Sequence, residues 1–483
     1  MIWRLTGYLL LAVGLLFLAL LLISFTAGSP KMGLLLVPGM AAGGLVALHP
    51  FAALMLLVTF SHLDALAGLL SKALPLSAFK LLTAAALGGL LLQSCHTPRH
   101  LRLGPPSQTR SLVVLFLIWL CISYLTCKYS GAGKEHVIGF ASVVVLFFLI
   151  VALADTPGRL RGLVWVLVGT GLVSGLFVVA ESVLGVRLVA TEAAATTAAF
   201  EGQARSAGAS NYNPTTAAHM LLCTVVIAAV LFFEHKPMRW FSGAVVLIGM
   251  AGLVLTLARS AAIALALIAL VYMWHNRRHR LFPLALVCLA AAAAAAMPFV
   301  PEVYWERMGT MFEQGSDRTL LRRLSYNLIG LQLLWENPVF GVGPGNYPHY
   351  YAGEEFRWYP GREPGPRQLH NSYLEVAAEL GLIGLALFLG VMISAMKAAL
   401  QAARAEVAGL SVFAKALAYG FAAFLIASLF MPNEDTKFMW ILPALCVAVR
   451  HLSLGEGAGR ADSGHSDISQ PNSGAAGSGD GGN

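Results

Sequence analysis

The residues best suited to chemistry in this chain are arginines. Between Pro301 and His370 there are seven, Arg307, Arg318, Arg322, Arg323, Arg357, Arg362 and Arg367, and no lysine. A segment needing only solubility would use both types, whereas guanidinium is a flat, permanently charged fork that meets phosphate oxygens two at a time. Carboxylates of the same segment, such as Glu354, Glu355 and Glu363, can pair with individual arginines, but the group as a whole fits a polyanionic ligand.

That segment ends on His370-Asn371-Ser372-Tyr373-Leu374-Glu375, directly ahead of an apolar run. Asn371 or Ser372 can cap the helix that begins there, which leaves His370 beside its positive end. A neutral imidazole is favoured at that point and suits a general base; the plainer role is an interfacial histidine that only hydrogen-bonds. Arg259 stands apart, in Leu257-Ala258-Arg259-Ser260 between two apolar runs. An arginine at a membrane boundary is costly without a partner, so function is its default explanation.

The elements that must position these side chains belong to a membrane protein. Of 483 residues 58% are hydrophobic and 12% charged, against about 25% charged in an ordinary soluble domain, which excludes a soluble globular fold. Apolar runs near 5–25, 33–48, 51–70, 78–95, 111–128, 136–154, 162–183, 214–233, 240–257, 259–274, 283–300, 376–397, 411–430 and 438–451 predict an all-α polytopic protein with about 12–14 transmembrane helices. None alternates in polarity, so a β-barrel is excluded as well. Leu5 to Phe25 follows Arg4 like a signal peptide but leads straight into further spans, and reads as an uncleaved first helix.

The basic segments 96–110, 155–161, 234–240, 275–282 and 397–415 share one side if the spans alternate. By the positive-inside rule that side is the cytoplasm, together with both termini, and 184–213 and 300–375 face outward. In such a protein a net charge of +8 sets topology and lipid contact and does not imply nucleic acid. The six cysteines lie in or at the ends of apolar runs without a CxxC pair, so neither a disulfide framework nor a metal pair follows. The expected organisation is N-terminal transmembrane helices over 1–299, an outer loop over 300–375, C-terminal transmembrane helices over 376–451 and a disordered Gly/Ser-rich tail over 452–483.

Within the outer loop, Ser316 to Asn337 reads as an amphipathic helix lying on the membrane surface, capped by Ser316 or Asp317 and stopped by Pro338. Gly341-Val342-Gly343-Pro344-Gly345-Asn346 neither follows a strand nor opens a helix, so it reads as a tight turn and not a phosphate cradle. Asp64 and Glu434-Asp435 are possible acidic contributors, with helix packing or solvation as their plainer role.

Taken in order, four features resemble the O-antigen ligase and polymerase superfamily over roughly 205–445. They are Arg259 in its broken stretch, Arg323 fifteen residues before Pro338, the run Asn337-Pro338-Val339-Phe340-Gly341-Val342-Gly343, and His370-Asn371-Ser372-Tyr373-Leu374 followed by Glu379-Leu380-Gly381-Leu382-Ile383-Gly384. The resemblance implies a lipid-linked glycosyltransferase of the C-type (GT-C) membrane fold, working at the periplasmic face of the bacterial inner membrane without metal or cofactor. In O-antigen ligases the glycan leaves undecaprenyl diphosphate for a sugar hydroxyl of the lipid A core during lipopolysaccharide biosynthesis. Carried over to this chain, the essential histidine is His370 and the two diphosphate-binding arginines are Arg259 and Arg323, with Arg322 an adjacent rival. A metal-dependent relative would carry acidic ligands in its first outer loop, and 26–32 holds no carboxylate.

Two alternatives stand beside the ligase. An O-antigen polymerase uses the same donor but divides its outer machinery between two loops, and 184–213, with Arg187 and Arg205, leaves room for that. A secondary transporter or lipid flippase would set its costly polar groups near the bilayer midplane, whereas these cluster toward one face.

Overall fold

The computed structural model describes residues 49–71, 77–96, 107–186, 188–189, 205–211, 213–278, 302–309, 318–405, 407 and 409–466. Among them there is no strand. The helices are α1 (Pro50–His62), α2 (Asp64–Ser71), α3 (Ala78–His96), α4 (Gln108–Tyr124), α5 (Ser130–Leu153), α6 (Pro157–Leu184), α7 (Pro214–Glu234), α8 (Arg239–Leu255), α9 (Arg259–Asn276), α10 (Glu302–Gly309), α11 (Arg318–Glu336), α12 (Tyr347–Tyr351), α13 (Ser372–Arg404), α14 (Ser411–Ala427) and α15 (Lys437–Ser466).

Six of the described helical stretches are long and apolar enough to cross a membrane: α5, α6, α7, Lys236–Leu255, α13 and the first part of α15. Shorter apolar helices are α1, α4, α14 and most of α3. The chain is therefore an all-α, multi-pass membrane protein, as its hydropathy predicts. The runs at 5–25, 33–48 and 283–300 lie outside the described residues.

One expectation needs correction. The run 51–70 is not one span: α1 ends at His62, Leu63 turns the chain (φ −105°, ψ 49°), and α2 restarts at Asp64. The break frees the Asp64 carboxylate to accept hydrogen bonds from the Ser210 hydroxyl (3.0 Å) and the Asn211 amide (2.9 Å), which a continuous apolar helix could not do. α15 runs on to Ser466, beyond the apolar run that ends at 451.

The centre of the bundle is α7, buried along most of its length. Three neighbours approach it through glycine. A methyl group at Gly171 of α6 would lie 2.2 Å from the Thr224 hydroxyl, one at Gly249 of α8 2.3 Å from Val225, and one at Gly420 of α14 2.4 Å from Ile227. In a bilayer, where lipid is as apolar as leucine, such close backbone contact supplies the dispersion that holds helices together.

Long-range hydrogen bonds show which connections share an end of the bundle. Asp64 meets Ser210, Arg205 meets Thr256, Tyr129 meets Asn346, and Ser372 meets Met431 and Asn433. At the opposite end two of the basic segments meet, with Lys415 paired to Glu234, and Arg277 lies 3.7 Å over the Trp274 ring.

Candidate active site

Arg259 owes its place to a backbone break. α8 ends at Leu255, and Leu257 takes a left-handed conformation (φ 55°), the one non-glycine residue among those described to do so. That conformation costs an ordinary residue about 1–2 kcal/mol and persists where its surroundings enforce it. It turns the chain so that α9 begins at Arg259, with the charged group at the bundle end instead of within the apolar interior.

A buried polar network stands behind the first turn of α9. The Asn433 amide donates to His219 Nδ1 at 3.1 Å, so the imidazole carries its proton on Nε2 and donates it to the Ser260 hydroxyl at 2.8 Å. Asn433 also donates to the Ser428 hydroxyl (3.0 Å), and its backbone amide donates to the Ser372 hydroxyl (2.8 Å). One continuous network thus ties α7, the start of α9, the 428–436 connection and the start of α13. Buried hydrogen bonds of this kind favour one arrangement, because breaking them leaves further donors and acceptors dry.

Arg323 is carried by α11, whose two faces have different duties. Tyr326, Ile329 and Leu333 pack into a small core with Tyr347, Tyr351 and Leu369. Leu321, Leu324, Leu328, Leu331 and Trp335 form the exposed stripe expected of a helix on a membrane surface. Its proposed caps, Ser316 and Asp317, lie outside the described residues.

After α11 the glycine run docks onto a break in α13. Gly381 there has φ 70° and ψ −175°, and a methyl at that position would lie 2.0 Å from the Val339 carbonyl oxygen. Reciprocally, a methyl at Gly341 (φ 70°) would lie 2.2 Å from the Glu379 backbone. The amides of Val342 and Gly343 donate to the carbonyls of Ala378 (3.0 Å) and Glu379 (2.9 Å), and the Leu382 amide donates to Pro338 (2.8 Å). The run is thus a tight turn, as expected, and the group it holds is internal: the Glu379 carboxyl accepts from the amides of Gly345 (2.7 Å) and Tyr347 (2.9 Å).

His370 sits just outside α13. Asn371 is the cap, accepting from the amides of Tyr373 (3.1 Å) and Leu374 (3.2 Å). Nδ1 of His370 lies 3.0 Å from the Gln368 carbonyl, which can only accept, so the proton is on Nδ1 and the lone pair on Nε2. Burial, and next the guanidinium of Arg323, push the imidazole down to about 4, so it is neutral at physiological pH. Neutrality, expected from the helix end, comes from burial and a neighbouring cation.

Arg259, Arg322, Arg323, Tyr326 and His370, drawn from three separate stretches of chain, line one open cavity of about 500 Å³. The described lining includes no carboxylate. Residues 243–389, from within α8 into α13, match the family model described as O-antigen ligase. The chain thus carries a segment similar to the O-antigen ligase family. No curated protein matches it.

Within this segment the two rival arginines are employed differently. Nη1 of Arg322 donates to both oxygens of Glu363 (3.1 and 3.3 Å), whereas Arg323 is the charge that weighs most on His370. Other loop arginines serve the loop itself: Arg362 donates to the carbonyls of Ala352 (2.8 Å) and Gly353 (3.0 Å), and Arg357 pairs with Glu354 at 3.6 Å.

Arg205 was not among the expected site residues, yet it lines the same cavity. It is 4% exposed, donates from Nε to the Thr256 carbonyl at the end of α8 (2.9 Å) and from Nη2 to the Thr215 hydroxyl (3.2 Å). A cation on the terminal carbonyls of a helix opposes its negative end. The available signal was that Arg205 sits nine residues before Pro214, where an outer connection re-enters the bundle. Tyr326 was also missed as a site residue. Asp64 stays out of the cavity lining and serves as an anchor for 210–211.

Proposed function

We propose that this protein transfers a glycan from undecaprenyl diphosphate to a sugar hydroxyl of the lipid A core, at the periplasmic face of the inner membrane. The observation that carries this reading is the convergence of Arg259, Arg323 and His370 on one cavity at the end of the bundle opposite the basic loops. The positive-inside rule puts those loops in the cytoplasm and hence the cavity outside.

The chemistry follows from the groups present. His370 Nε2 takes the proton from the acceptor hydroxyl as its oxygen attacks the anomeric carbon, and the bond from that carbon to the diphosphate oxygen breaks. A single displacement inverts the anomeric centre. Negative charge grows on the departing diphosphate, and Arg259 and Arg323, with Arg205 behind them, stabilise it. Guanidinium groups take the role that a divalent cation plays in metal-dependent transferases, so neither a metal nor another cofactor is required in this scheme.

Reconstituted transfer from an undecaprenyl-diphosphate glycan to purified lipid A core, with and without chelator, tests the reading. Chelator-resistant transfer is expected; no transfer to the core, or transfer abolished by chelator, overturns it. One observation favours a second reading: Arg205 brings the 205–213 segment into the cavity, and two outer segments sharing a site suits a polymerase. A parallel reaction offering a second lipid-linked glycan as acceptor separates the two, because only a polymerase extends it.

A further inference from the structure

Glu375 and Glu379 stand one helical turn apart at the start of α13, and both are buried (4% and 5% exposed). Buried carboxylates are costly, and apolar side chains of similar size would pack there without that cost. Their surroundings add to it. The carboxylates of Glu434 and Asp435 approach from the 428–436 connection, and an opposing group, His136 of α5, has Nε2 3.2 Å from Asp435 Oδ1. What the two glutamates gain in return is three main-chain donors from outside their helix. Glu375 Oε2 accepts from the Leu369 amide (3.2 Å), and Glu379 accepts from Gly345 and Tyr347.

These three amides belong to the two segments that carry the site. Leu369 precedes His370 and packs against α11 at Gly330, where a methyl group would lie 2.2 Å from its Cδ1. Gly330 is two helical turns beyond Arg323 on α11. The turn held by Glu379 follows α11 and sets its far end against α13. We infer that Glu375 and Glu379 are positioning residues, a pair of clamps that hold the His370 segment and α11 in the register that sets His370 beside Arg323. The inference rests on the proposed roles of His370 and Arg323.

E379Q keeps the shape of the side chain but turns one acceptor into an N–H2 group that faces a backbone N–H. A shift of about 1 Å in a reacting group can cost on the order of a hundredfold in rate. For E379Q purified in detergent we expect kcat to fall at least tenfold, with donor affinity within about threefold of wild type. The acid limb of the pH–rate profile should also rise, from about 4 toward the ordinary imidazole value of 6.5, as Arg323 moves off His370. A purely structural role would reduce the yield of folded protein and leave the limb in place.

E375Q, which weakens the other clamp, is expected to behave alike and carries the test if E379Q does not fold. Wild-type kcat and an unmoved limb in whichever variant elutes as a single folded species overturn the inference. H370A run alongside separates the two levels: an active H370A removes the base assignment itself, whereas an inactive H370A beside unaffected glutamine variants removes only the clamps.

Discussion

The rings of His370 and Tyr326 lie 5.0 Å apart and 32° from parallel, so a residue of α11 braces the imidazole of a segment 44 positions later in the chain. The Gln368 carbonyl holds Nδ1 while Tyr326 covers one face, and together they restrict the ring to one orientation. Tilted aromatic contact of this kind contributes about 0.5–1.5 kcal/mol beyond burial. Replacing Tyr326 with alanine is expected to lower kcat, and Y326F to retain most of it. Equal losses in the two variants, measured in the reconstituted reaction, would show that the hydroxyl and not the ring face matters.

His370→Ala should abolish transfer while the protein still elutes as a folded species in detergent. No other imidazole lines the described cavity, so no neighbour can take the proton. Substantial turnover by this variant would assign the base elsewhere.

Because His370 is pushed down to about 4, transfer should be level through the neutral range and fall about tenfold per pH unit only below about 4. The linked stability runs in the same direction. Between about 6.5 and 4 the unfolded chain binds the proton more readily than the folded one, so this histidine's contribution is complete above 6.5 and is lost as pH falls toward 4. An activity limb near 6.5 would mean that His370 is solvated and far from Arg323.

Arg323→Ala and Arg259→Ala should each weaken binding of an undecaprenyl diphosphate by about tenfold or more, the scale of a charge-assisted hydrogen bond at about 1.5–3 kcal/mol. Arg322→Ala should weaken it less, since that guanidinium is engaged by Glu363. Titration of the lipid into each purified variant ranks the three, and a larger loss for Arg322 would reverse the assignment.

Gly381→Ala should be among the most destabilising single changes in the 372–404 helix. A left-handed backbone at a non-glycine residue costs about 1–2 kcal/mol, and the added methyl would also strike the Val339 carbonyl at 2.0 Å. A thermal midpoint in detergent within a degree of wild type would show that the turn and the helix break can separate freely.

Much of the fold was legible without coordinates because the signals are local. Apolar runs of spanning length place most of the described transmembrane helices within a few residues, and Pro157, Pro214 and Asn371 mark helix starts by chemistry that needs no distant partner. The break at Arg259 and the tight turn at Gly341 to Asn346 were visible for the same reason. Where local signals were weak the reading went astray: nothing in the composition of 51–70 announces the stop at His62, which Asp64 exploits to hold a segment 146 residues away.

What the order of residues determined by itself was an all-helical membrane protein with a histidine and a set of arginines outside its spans. The tertiary structure decided which of those arginines face the histidine. Arg323 and Arg322 are adjacent and chemically identical, and the position of Glu363 ties Arg322 to the loop. Arg205 joins the cavity through the Thr256 carbonyl, a group that every residue has and no sequence pattern marks. Periodicity and capping act over a few residues and are written in the chain, whereas charge, burial and hydrogen-bond geometry depend on segments that meet only when the bundle has packed.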